Sequence, residues 1–321
     1  MIAPWQITRA ADRLRRGGVV AFPTETVYGL GANAFDRNAI AKVFQLKGRP
    51  RFDPLIVHVE DVDRVPQLVG CFSEQAQRLA RAFWPGSLSI VLPKHRRVPD
   101  LVTAGLPTVA VRVPDHDLAR QLIEQAATAI AAPSANRFGS VSPTTADHVR
   151  AEFGERIDLV LDGGPCHRGV ESTVISLVDQ PTLLRPGGIE VEAIEQVVGP
   201  LAIAGLSSDS RSLPSPGMLR RHYAPRTPMR LVDVVDLGLR QRPELRVGLL
   251  LFVPRRDQDL DGFAAVEVLS SRADLAEAAA NLFAALRRLD AASLDSIIAE
   301  RVPDQGLGRA INDRLMRGSM V

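Results

Sequence analysis

The chain has few cysteines, few lysines and no long apolar run. The scarcity of cysteine and of apolar runs argues against a disulfide-rich, zinc-binding or membrane-spanning protein. Its two cysteines, Cys71 and Cys166, are far apart and match no metal-binding spacing, so we expect neither a disulfide framework nor a structural zinc site. No apolar run reaches the roughly 18 residues that cross a bilayer. The first residues, M-I-A-P-W-Q-I-T, lack a basic stretch followed by an apolar one. We therefore expect a cytoplasmic protein that makes no contact with a membrane.

Lysine is so scarce in this chain that the position of each lysine is informative. Only three of the 39 basic residues are lysines, and the rest are arginines. Lys47 stands out because Arg49 and Arg51 follow it closely. Lys42, in the same predicted helix, shows that a lysine also occurs without such a setting. A basic helix end that complements its own dipole would look the same as an anion site.

The overall charge is small. A formal net charge of +2 and a pI near 8.8 do not by themselves predict a nucleic-acid-binding protein. They leave room for a local basic cleft, so the distribution of charge must decide.

Length and composition predict a globular α/β protein with two domains. The chain has 321 residues, of which 45% are hydrophobic, enough for one large core and one small core. Strands and helices alternate up to residue 204. Residues 205–229 are rich in Ser, Pro and Gly and predict a linker, and residues 230–321 predict a small domain with a largely parallel sheet.

The predicted elements follow from hydrophobic periodicity and from capping and breaking residues. The expected helices are 8–16, 36–46 with Asp36 as its cap, one from Ser73, 115–125, and one capped by Ser271. The expected strands are 19–22, 55–59, 87–92, 108–113, 129–133, 157–161, 173–178, 182–184, 247–253, 264–269 and 296–299. A turn at 179–181 joins two of them as a hairpin, so the first sheet is expected to be mixed.

Several common catalytic motifs are missing. The sequence has no G-x-x-x-x-G-K-[ST], no G-x-S-x-G and no H-E-x-x-H, which removes the usual signals for P-loop, hydrolase and zincin chemistry. The run from Gly29 to Ala34 fits the dinucleotide pattern G-x-G-x-x-A, with Asp53 further along. Six residues separate this run from Phe22, whereas the dinucleotide fingerprint follows its strand directly. That reading is therefore the weaker one, and Gly29 and Gly31 are interpreted as turn-forming residues.

Two loops at predicted strand ends favour a nucleotide-phosphate site without a P-loop. The first combines Lys47, Arg49 and Arg51 with nearby hydroxyl-rich turns. The second, A-A-P-S-A-N-R-F-G-S-V-S-P-T-T, offers further hydrogen-bond donors: Ser134, Asn136, Ser140 and Ser142. Cations and such donors stabilise the charge that develops when a phosphorus centre is attacked.

Six motifs also follow one another in a fixed order along the first 200 residues. They are P-T-E-T-V-Y-G-L-G, K-G-R-P-x-x-x-P-L-I-V-H, T-V-A-V-R-V-P, A-P-S-A-N-x-x-G-x-x-S-P-T, E-S-T-V-I and L-L-R-P-G-G-I. Together they resemble the YrdC family of L-threonylcarbamoyladenylate synthases. The linker motif S-P-G-M-x-x-x-H-Y-A-P and the second domain resemble the longer, two-domain type of that family. The resemblance implies a YrdC-like twisted mixed sheet with helices, followed by a small Rossmann-like parallel α/β domain.

The resemblance also implies a reaction. L-Threonine, bicarbonate and ATP would give threonylcarbamoyl-AMP and pyrophosphate, with Mg²⁺ accompanying ATP. The product would serve a downstream threonylcarbamoyl transferase machinery that makes t⁶A at position 37 of tRNAs reading ANN codons. Such a reaction needs positioning and charge stabilisation but no covalent protein intermediate.

Motif matching carries the family's site residues onto this chain. Lys47 and Arg49 are expected to grip the phosphates as the catalytic pair, and His222 and Tyr223 to cover the nucleotide. Further residues expected near ATP are Asp53, Thr108, Ser134, Ser142 and Arg185. Arg112 is expected to pair with the threonine carboxylate, and the rest of the amino-acid pocket is assigned to Thr26, His58, Ala132 and Ser172. No residue is assigned as a metal ligand.

One position departs from the family pattern. Asp53 stands where an asparagine is usual, and a carboxylate repels phosphates unless it faces Mg²⁺ or the ribose. Each assigned residue also has an ordinary structural explanation: His58 could be a core histidine, Thr26 and Ser172 turn hydroxyls, and Tyr223 a packing residue.

Two other functions stay open at this point. An RNA-binding or ribosome-assembly protein could use the same basic cleft for duplex RNA, and weak RNA binding would also suit the synthase. A carbamoyl transferase of the hydrogenase-maturation type would share the first domain's fold. The chain lacks the acylphosphatase segment and the zinc-finger cysteines expected of that type.

Overall fold

A computed structural model describes residues 3–205, 219–235, 245–255 and 260–320. Within these residues ten strands form one sheet and four form a second sheet. None of the helices in these ranges is both long and apolar enough to cross a membrane. Most of the predicted linker, including its S-P-G-M motif, lies outside the described residues.

The first sheet and its helices are built from residues 4 to 203. The helices are α1 (Pro4–Arg15), α2 (Arg37–Lys47), α3 (Glu74–Phe83), α4 (Asp100–Thr103), α5 (Asp117–Ala126), α6 (Ala146–Phe153) and α7 (Val191–Val198). The strands are β1 (Val20–Phe22), β2 (Gly29–Asn33), β3 (Ile56–His58), β4 (Leu88–Pro93), β5 (Thr108–Arg112), β6 (Ile130–Ala131), β7 (Leu159–Val160), β8 (Thr173–Ser176), β9 (Thr182–Arg185) and β10 (Ala202–Ile203).

The order of strands in this sheet is β10-β9-β8-β4-β5-β3-β6-β2-β1-β7. Pairs such as β3 with β5 are parallel, and pairs such as β4 with β5 and β8 with β9 are antiparallel. This confirms the predicted mixed sheet. Strands β3, β5 and β6 are neighbours in the sheet. Because β3 is parallel to β5 and antiparallel to β6, His58 lies beside Arg112, and the chain that leaves β6 lies beside Ile56 at the start of β3.

Helix α2 shows how the sequence fixes a local structure that serves the site. The Asp36 side chain accepts hydrogen bonds from the backbone N–H groups of Asn38 and Ala39, as expected of an N-cap. Gly48 ends the helix in the left-handed region with φ 64°. The helix thus stops directly after Lys47 and turns the chain toward Arg49.

The glycines of the G-x-G-x-x-A run are not turn-forming residues, which corrects the prediction. They lie in β2, which pairs with β1 so that Gly29 faces Phe22 and Gly31 faces Val20. A Cβ at Gly31 would lie 2.6 Å from the Phe22 ring and 2.7 Å from Ile130 Cγ2. The glycines are needed because an aromatic ring packs directly on this strand.

The second sheet contains β11 (Met229–Val232), β12 (Val247–Leu251), β13 (Ala265–Val268) and β14 (Ser296–Glu300), in the order β11-β14-β12-β13. All three pairings are parallel, which confirms the predicted parallel α/β domain. Helices α8 (Leu275–Ala291) and α9 (Gly308–Gly318) belong to it. Asp274 caps α8, not Ser271; the Ser271 hydroxyl instead hydrogen bonds to Glu277.

The apolar core of the second domain continues into the first. Val27, Val141 and Val170 from the first domain pack in one cluster with residues of β12, α8 and α9. Arg287 on α8 also pairs with Glu152 at 3.6 Å and donates to the carbonyl of Ser142. The two sheets are therefore joined by a packed interface next to the loops that follow β1 and β6.

Candidate active site

A cavity that is open to solvent lies where these loops meet. Ten of the fourteen residues assigned to the site from the sequence line it: Thr26, Arg49, His58, Arg112, Ala132, Ser134, Ser172, Arg185, His222 and Tyr223. Lys47, Asp53, Thr108 and Ser142 do not.

The centre of the cavity wall is set by strand register. His58 at the end of β3 and Arg112 at the end of β5 are direct partners in the parallel ladder. Ala132, just after β6, donates its N–H to the carbonyl of Ile56 on β3. Three residues from separate parts of the sequence therefore reach one place because their strands are neighbours.

Arg112 forms the centre of a buried group that also contains Glu25, Thr26 and His58, the Arg112 group. Its Nη2 lies 2.6 Å from Glu25 Oε1 and 3.1 Å from Thr26 Oγ1, and its Nε donates to the carbonyl of Gly86 at 3.1 Å. Burial alone would raise the pKa of Glu25, but Arg112 outweighs burial and lowers it. The pair is therefore ionised and nearly neutral as a unit.

His58 is an uncharged member of this group. Burial and then the charge of Arg112 lower the pKa of His58 to about 3. Its Nδ1 has no hydrogen-bond partner among the described residues, and its ring meets Phe22 edge to face with centroids 6.3 Å apart. A neutral imidazole with one unused nitrogen can donate to or accept from a small polar ligand.

Lys47 lies behind the cavity wall. Its Nζ donates to the backbone carbonyls of Ser134 and Asn136, both at 2.5 Å. Burial, and then the neighbouring charge of Arg49, lower the pKa of Lys47 well below its usual value. In this structure Lys47 holds the Ser134–Asn136 loop in place, which differs from the expected direct grip on phosphate.

Arg49 does line the cavity, whereas Asp53 lies behind it. Arg49 Nη2 is 2.8 Å from Asp53 Oδ1 without a well-aligned hydrogen bond, and it donates to the carbonyl of Pro54 at 2.7 Å. Asp53 is fully buried. The structure therefore gives Asp53 the role of fixing Arg49 and does not bring it to the expected contact with ATP.

Ser172 and Arg185 connect the two sides of the cavity. Arg185 donates to the backbone carbonyl of Ser172 through Nε and Nη2, at 3.2 and 2.9 Å. Ser172 Oγ also lies 2.8 Å from Ser89 Oγ. Ser172 and Arg185 therefore fix each other's position in the cavity wall.

Ser142 acts through a neighbour. Its hydroxyl donates to Glu171 Oε1 at 2.5 Å, while Arg314 Nε donates to Glu171 Oε2 at 2.9 Å. Burial would raise the pKa of Glu171, but Arg314 and Arg185 lower it. Glu171, which lines the cavity, is thus held ionised from two sides.

His222 and Tyr223 close one side of the cavity. Their rings are 4.1 Å apart, and Phe138 packs edge to face on His222 at 5.9 Å. Burial, and then the charges of Arg317, Arg49, Lys47 and Arg185, lower the pKa of His222 well below its usual value. The imidazole is therefore neutral and sits in a strongly positive environment.

The structure does not bring Thr108 to the cavity, contrary to the expected placement. Thr108 begins β5 and pairs with Pro93, whereas Arg112 ends the same strand. Four residues of extended chain separate the two by about 13 Å. The motif T-V-A-V-R identifies the strand, but only its last residue faces the site.

Sequence reasoning missed several residues that the structure places at or behind the cavity: Glu25, Glu171, Arg314 and Arg317. Glu25 and Glu171 stand inside the quoted motifs P-T-E-T-V-Y and E-S-T-V-I, so the motifs themselves were a signal. Arg314 and Arg317 lie in the second domain, and nothing in their local sequence indicates a site.

The described residues do not form a metal cage. They contain no group of three His, Cys, Asp or Glu side chains that could hold a metal ion. Among the described residues that line the cavity, Glu171 is the only carboxylate, and its oxygens accept from Ser142 and Arg314. This donor set does not fit a resident Mg²⁺ ion, which prefers octahedral oxygen ligands.

Comparisons with known proteins cover nearly the whole chain. A family profile named Sua5–YciO–YrdC and described as "Telomere recombination" matches residues 12–187, and one described as "Threonylcarbamoyl-AMP synthase, C-terminal domain" matches residues 189–319. Relatives named threonylcarbamoyl-AMP synthase include one from Pyrococcus abyssi, 44% identical over 99% of this chain and 95% of its own length. Another, from Bacillus subtilis, is 45% identical over 98% and 93%. The crystal structure of P. abyssi Sua5 complexed with L-threonine superposes with a TM-score of 0.92 and 42% identity, covering 99% of this chain and 95% of that one.

Proposed function

The chain belongs to the threonylcarbamoyl-AMP synthase family, and we propose that its cavity makes threonylcarbamoyl-AMP from L-threonine, bicarbonate and ATP with release of pyrophosphate. The observation that carries the proposal is one cavity with two kinds of charge. The Arg112 group is nearly neutral because Glu25 pairs with the arginine at 2.6 Å. On the other side Arg49 and Arg185 line the same cavity.

The Arg112 group suits an amino acid. A zwitterion carries one charge of each sign, as the Arg112–Glu25 pair does, so its carboxylate can share the Arg112 guanidinium without leaving an excess of charge. Thr26, the neutral His58 and Ser172 offer short hydrogen-bonding groups for the remaining polar atoms, and Ala132 leaves room for a methyl group. From the P. abyssi relative these assignments take only the ligand, since its crystal structure is of the complex with L-threonine.

The arginine side suits a triphosphate. Arg49 and Arg185 are buried guanidinium groups, which pair with phosphate oxygens more readily than a solvated lysine does. Lys47, which fixes the backbone of the Ser134–Asn136 loop, would shape the phosphate-facing surface of that loop. Ser134 itself lines the cavity.

The chemistry then needs two bond-forming steps. The threonine amine adds to the carbon of bicarbonate with loss of water and forms a carbamate. A carbamate oxygen attacks the α-phosphorus of ATP, the bond from that phosphorus to the β-phosphate bridge breaks, and pyrophosphate leaves with the electron pair. The protein's part is to hold the two substrates in line and to offset the developing charge with Arg49 and Arg185.

Magnesium enters this proposal as part of the ATP substrate. Since the cavity's own carboxylate is already held by Ser142 and Arg314, the ion would be held by phosphate oxygens and water, as is usual for Mg²⁺ with nucleotides. Downstream, the mixed carbamic–phosphoric anhydride is an activated carbamoyl donor. We expect a threonylcarbamoyl transferase to use it for t⁶A at position 37 of tRNA. The comparisons favour no RNA-binding alternative.

The test is a substrate-omission experiment. The full chain is incubated with labelled L-threonine, bicarbonate and ATP, and both pyrophosphate and the adenylate are measured. We expect both products only when all three substrates are present. Pyrophosphate release that does not depend on threonine would contradict the proposal.

A further inference from the structure

Helix α9 of the second domain sends two arginines to the back of the cavity. Arg314 and Arg317 are 0% and 1% exposed, among the largest fully buried side chains of the described residues. Arg314 holds the cavity carboxylate Glu171 at 2.9 Å and donates to the carbonyl of Pro186 at 2.9 Å. Arg317 donates to the carbonyl of Leu219 at 2.8 Å, just before His222 in the chain.

Both arginines also contact the same aromatic ring. The guanidinium carbon of each lies 4.9 Å from the centre of the Tyr223 ring, within the range of a cation–π interaction. Phe283 on α8 packs on that ring as well, at 5.8 Å. The second domain therefore supplies the surroundings of a residue that lines the cavity.

Tyr223 needs such support because its backbone is strained. Its φ is 63°, in the left-handed region that a bulky side chain rarely adopts. A residue persists in that region only where the surrounding structure fixes it, and such residues cluster at functional sites. Here the backbone N–H of His222 donates to the carbonyl of Arg317 at 3.3 Å, so α9 fixes both the ring and the chain beside it.

The charges around Tyr223 are not balanced within the described residues. Four buried guanidinium groups, those of Arg49, Arg185, Arg314 and Arg317, accompany three carboxylates, Asp53, Glu171 and Asp313. Lys47 lies nearby as well. The Nη2 atoms of Arg314 and Arg317 donate to no acceptor among the residues that the structure describes. We define the Tyr223 group as Tyr223, His222, Lys47, the four arginines and the three carboxylates.

Such an arrangement is a poor way to stabilise a fold. Buried ion pairs are often no more stable than well-packed apolar side chains of similar size, and an excess of positive charge makes the balance worse. A polyanion bound in the cavity would offset that excess. The arrangement thus favours a role in ligand binding over a role in folding alone.

We propose that Arg314 and Arg317 are positioning residues of the nucleotide site: they hold Tyr223 and Glu171 in the cavity wall, so that α9 of the second domain forms part of the binding site for ATP. This inference rests on the proposed function. It gives the second domain a defined task, which its parallel sheet does not reveal.

The experiment measures two ligands separately on the full chain. A non-hydrolysable ATP analogue and L-threonine are titrated by calorimetry into the wild type, Arg317→Gln and Arg309→Gln. Arg309 is the matched control, since it lies on the same helix but is half exposed and pairs with Glu192 at the surface. We expect Arg317→Gln to weaken the analogue about tenfold or more and to change threonine affinity less than about twofold. Arg309→Gln should leave both affinities unchanged.

Coupling to Tyr223 separates positioning from a general loss of structure. If Arg317 acts by holding the ring, Tyr223→Leu and the double variant with Arg317→Lys should bind the analogue equally weakly, because Lys keeps the positive charge and the second change finds no ring contact left to remove. Losses that multiply in the double variant would overturn the proposal. So would an equal loss of both ligands in Arg317→Gln, which would indicate general damage.

Two further measurements keep the test decisive. If Arg317→Gln does not fold, as judged by circular dichroism and thermal melting, Arg317→Lys replaces it; Lys keeps the charge but cannot stack as a planar group, and its analogue affinity should also fall. Unchanged affinity in Arg317→Lys would overturn the proposal. A wild type that binds the analogue but releases no threonine-dependent pyrophosphate would defeat the proposed function while the role of α9 in binding still stands or falls on the titrations.

Discussion

The Arg112 group and the Tyr223 group treat buried charge in opposite ways. In the first, one guanidinium meets one carboxylate at 2.6 Å and the neighbouring histidine is neutral. In the second, four guanidinium groups accompany three carboxylates within the described part of the chain, and two of the guanidinium groups have an N–H with no acceptor there. Both groups border the same cavity.

This difference indicates how one cavity can sort two substrates. A neutral group gains little from a polyanion, and a strongly positive group gains little from a zwitterion, so each ligand has a preferred side. Specificity then depends on the balance of charge as well as on shape. Substitutions that change the balance of charge on one side at a time should therefore affect one ligand more than the other.

Removing Arg112 should have the largest effect. In Arg112→Met, Glu25 would be left buried without its partner, which is expected to lower the free energy of unfolding by about 3 to 5 kcal/mol and to weaken threonine binding about 100-fold. Urea unfolding and threonine calorimetry measure the two effects. Glu25→Gln combined with Arg112→Met should recover most of the stability but not the binding. Normal threonine binding in the double variant would show that the guanidinium does not hold the ligand.

A double substitution that removes the buried ion pair on the ATP side of the cavity should have a smaller effect on ligand affinity. Arg49→Gln combined with Asp53→Asn removes a buried pair as a unit. We expect ATP-analogue affinity to fall about 10-fold to 100-fold, in line with the loss of charged hydrogen bonds, because Arg185 and the α9 arginines remain. Threonine affinity should stay within about threefold. A larger loss of threonine affinity than of analogue affinity would mean that Arg49 lies on the threonine side of the cavity and would contradict the assignment.

His58 gives the Arg112 group a pH dependence. Its pKa of about 3 lies below the ordinary value of 6.5, so between these values the unfolded chain binds a proton that the folded chain does not. Stability from this residue is present above pH 6.5 and is lost as the pH falls toward 3. Between pH 6.5 and 5.0 the loss is about 2 kcal/mol, at about 1.4 kcal/mol per pH unit.

The measurement is urea unfolding of the wild type and His58→Gln at pH 7.0 and 5.0. The wild type should lose about 2 kcal/mol more than the variant over that interval. Equal losses in the two proteins would mean that His58 is not held neutral in the folded chain.

Salt should separate the two sides with the smallest effect and without any substitution. Raising KCl from about 50 mM to about 500 mM is expected to raise the KM for ATP several-fold, since the attraction of several arginines for a polyanion is screened. The KM for threonine should change less than twofold, because a nearly neutral group has little net field to screen. Equal salt dependence of the two KM values would contradict the difference in charge between the two sides of the cavity. Pyrophosphate release at constant pH measures both constants.

Much of the fold could be predicted from the sequence, because its signals are local. The Asp36 cap and the apolar strands depend on neighbours within a few residues, and they predict α2 and the sheets with small errors at the ends. The role of Gly31 could not be predicted. Its need for a missing side chain comes from the Phe22 ring and Ile130, which reach it only through strand pairing.

The site was only partly predictable for a related reason. Motifs identify which strands and loops matter, and they led to Arg112 and Arg49. They do not say which end of a strand faces the cavity, as Thr108 shows, or whether a lysine points to a ligand or to backbone carbonyls, as Lys47 shows. Arg314 and Arg317 depend entirely on tertiary packing between the domains.

The most direct test of the two-sided cavity is a crystal structure of the full chain with L-threonine and a non-hydrolysable ATP analogue bound together. We predict the threonine carboxylate on Arg112 and the phosphates beside Arg49 and Arg185, with Tyr223 packed against the nucleotide. A triphosphate on Arg112, or a nucleotide bound outside this cavity, would contradict the account.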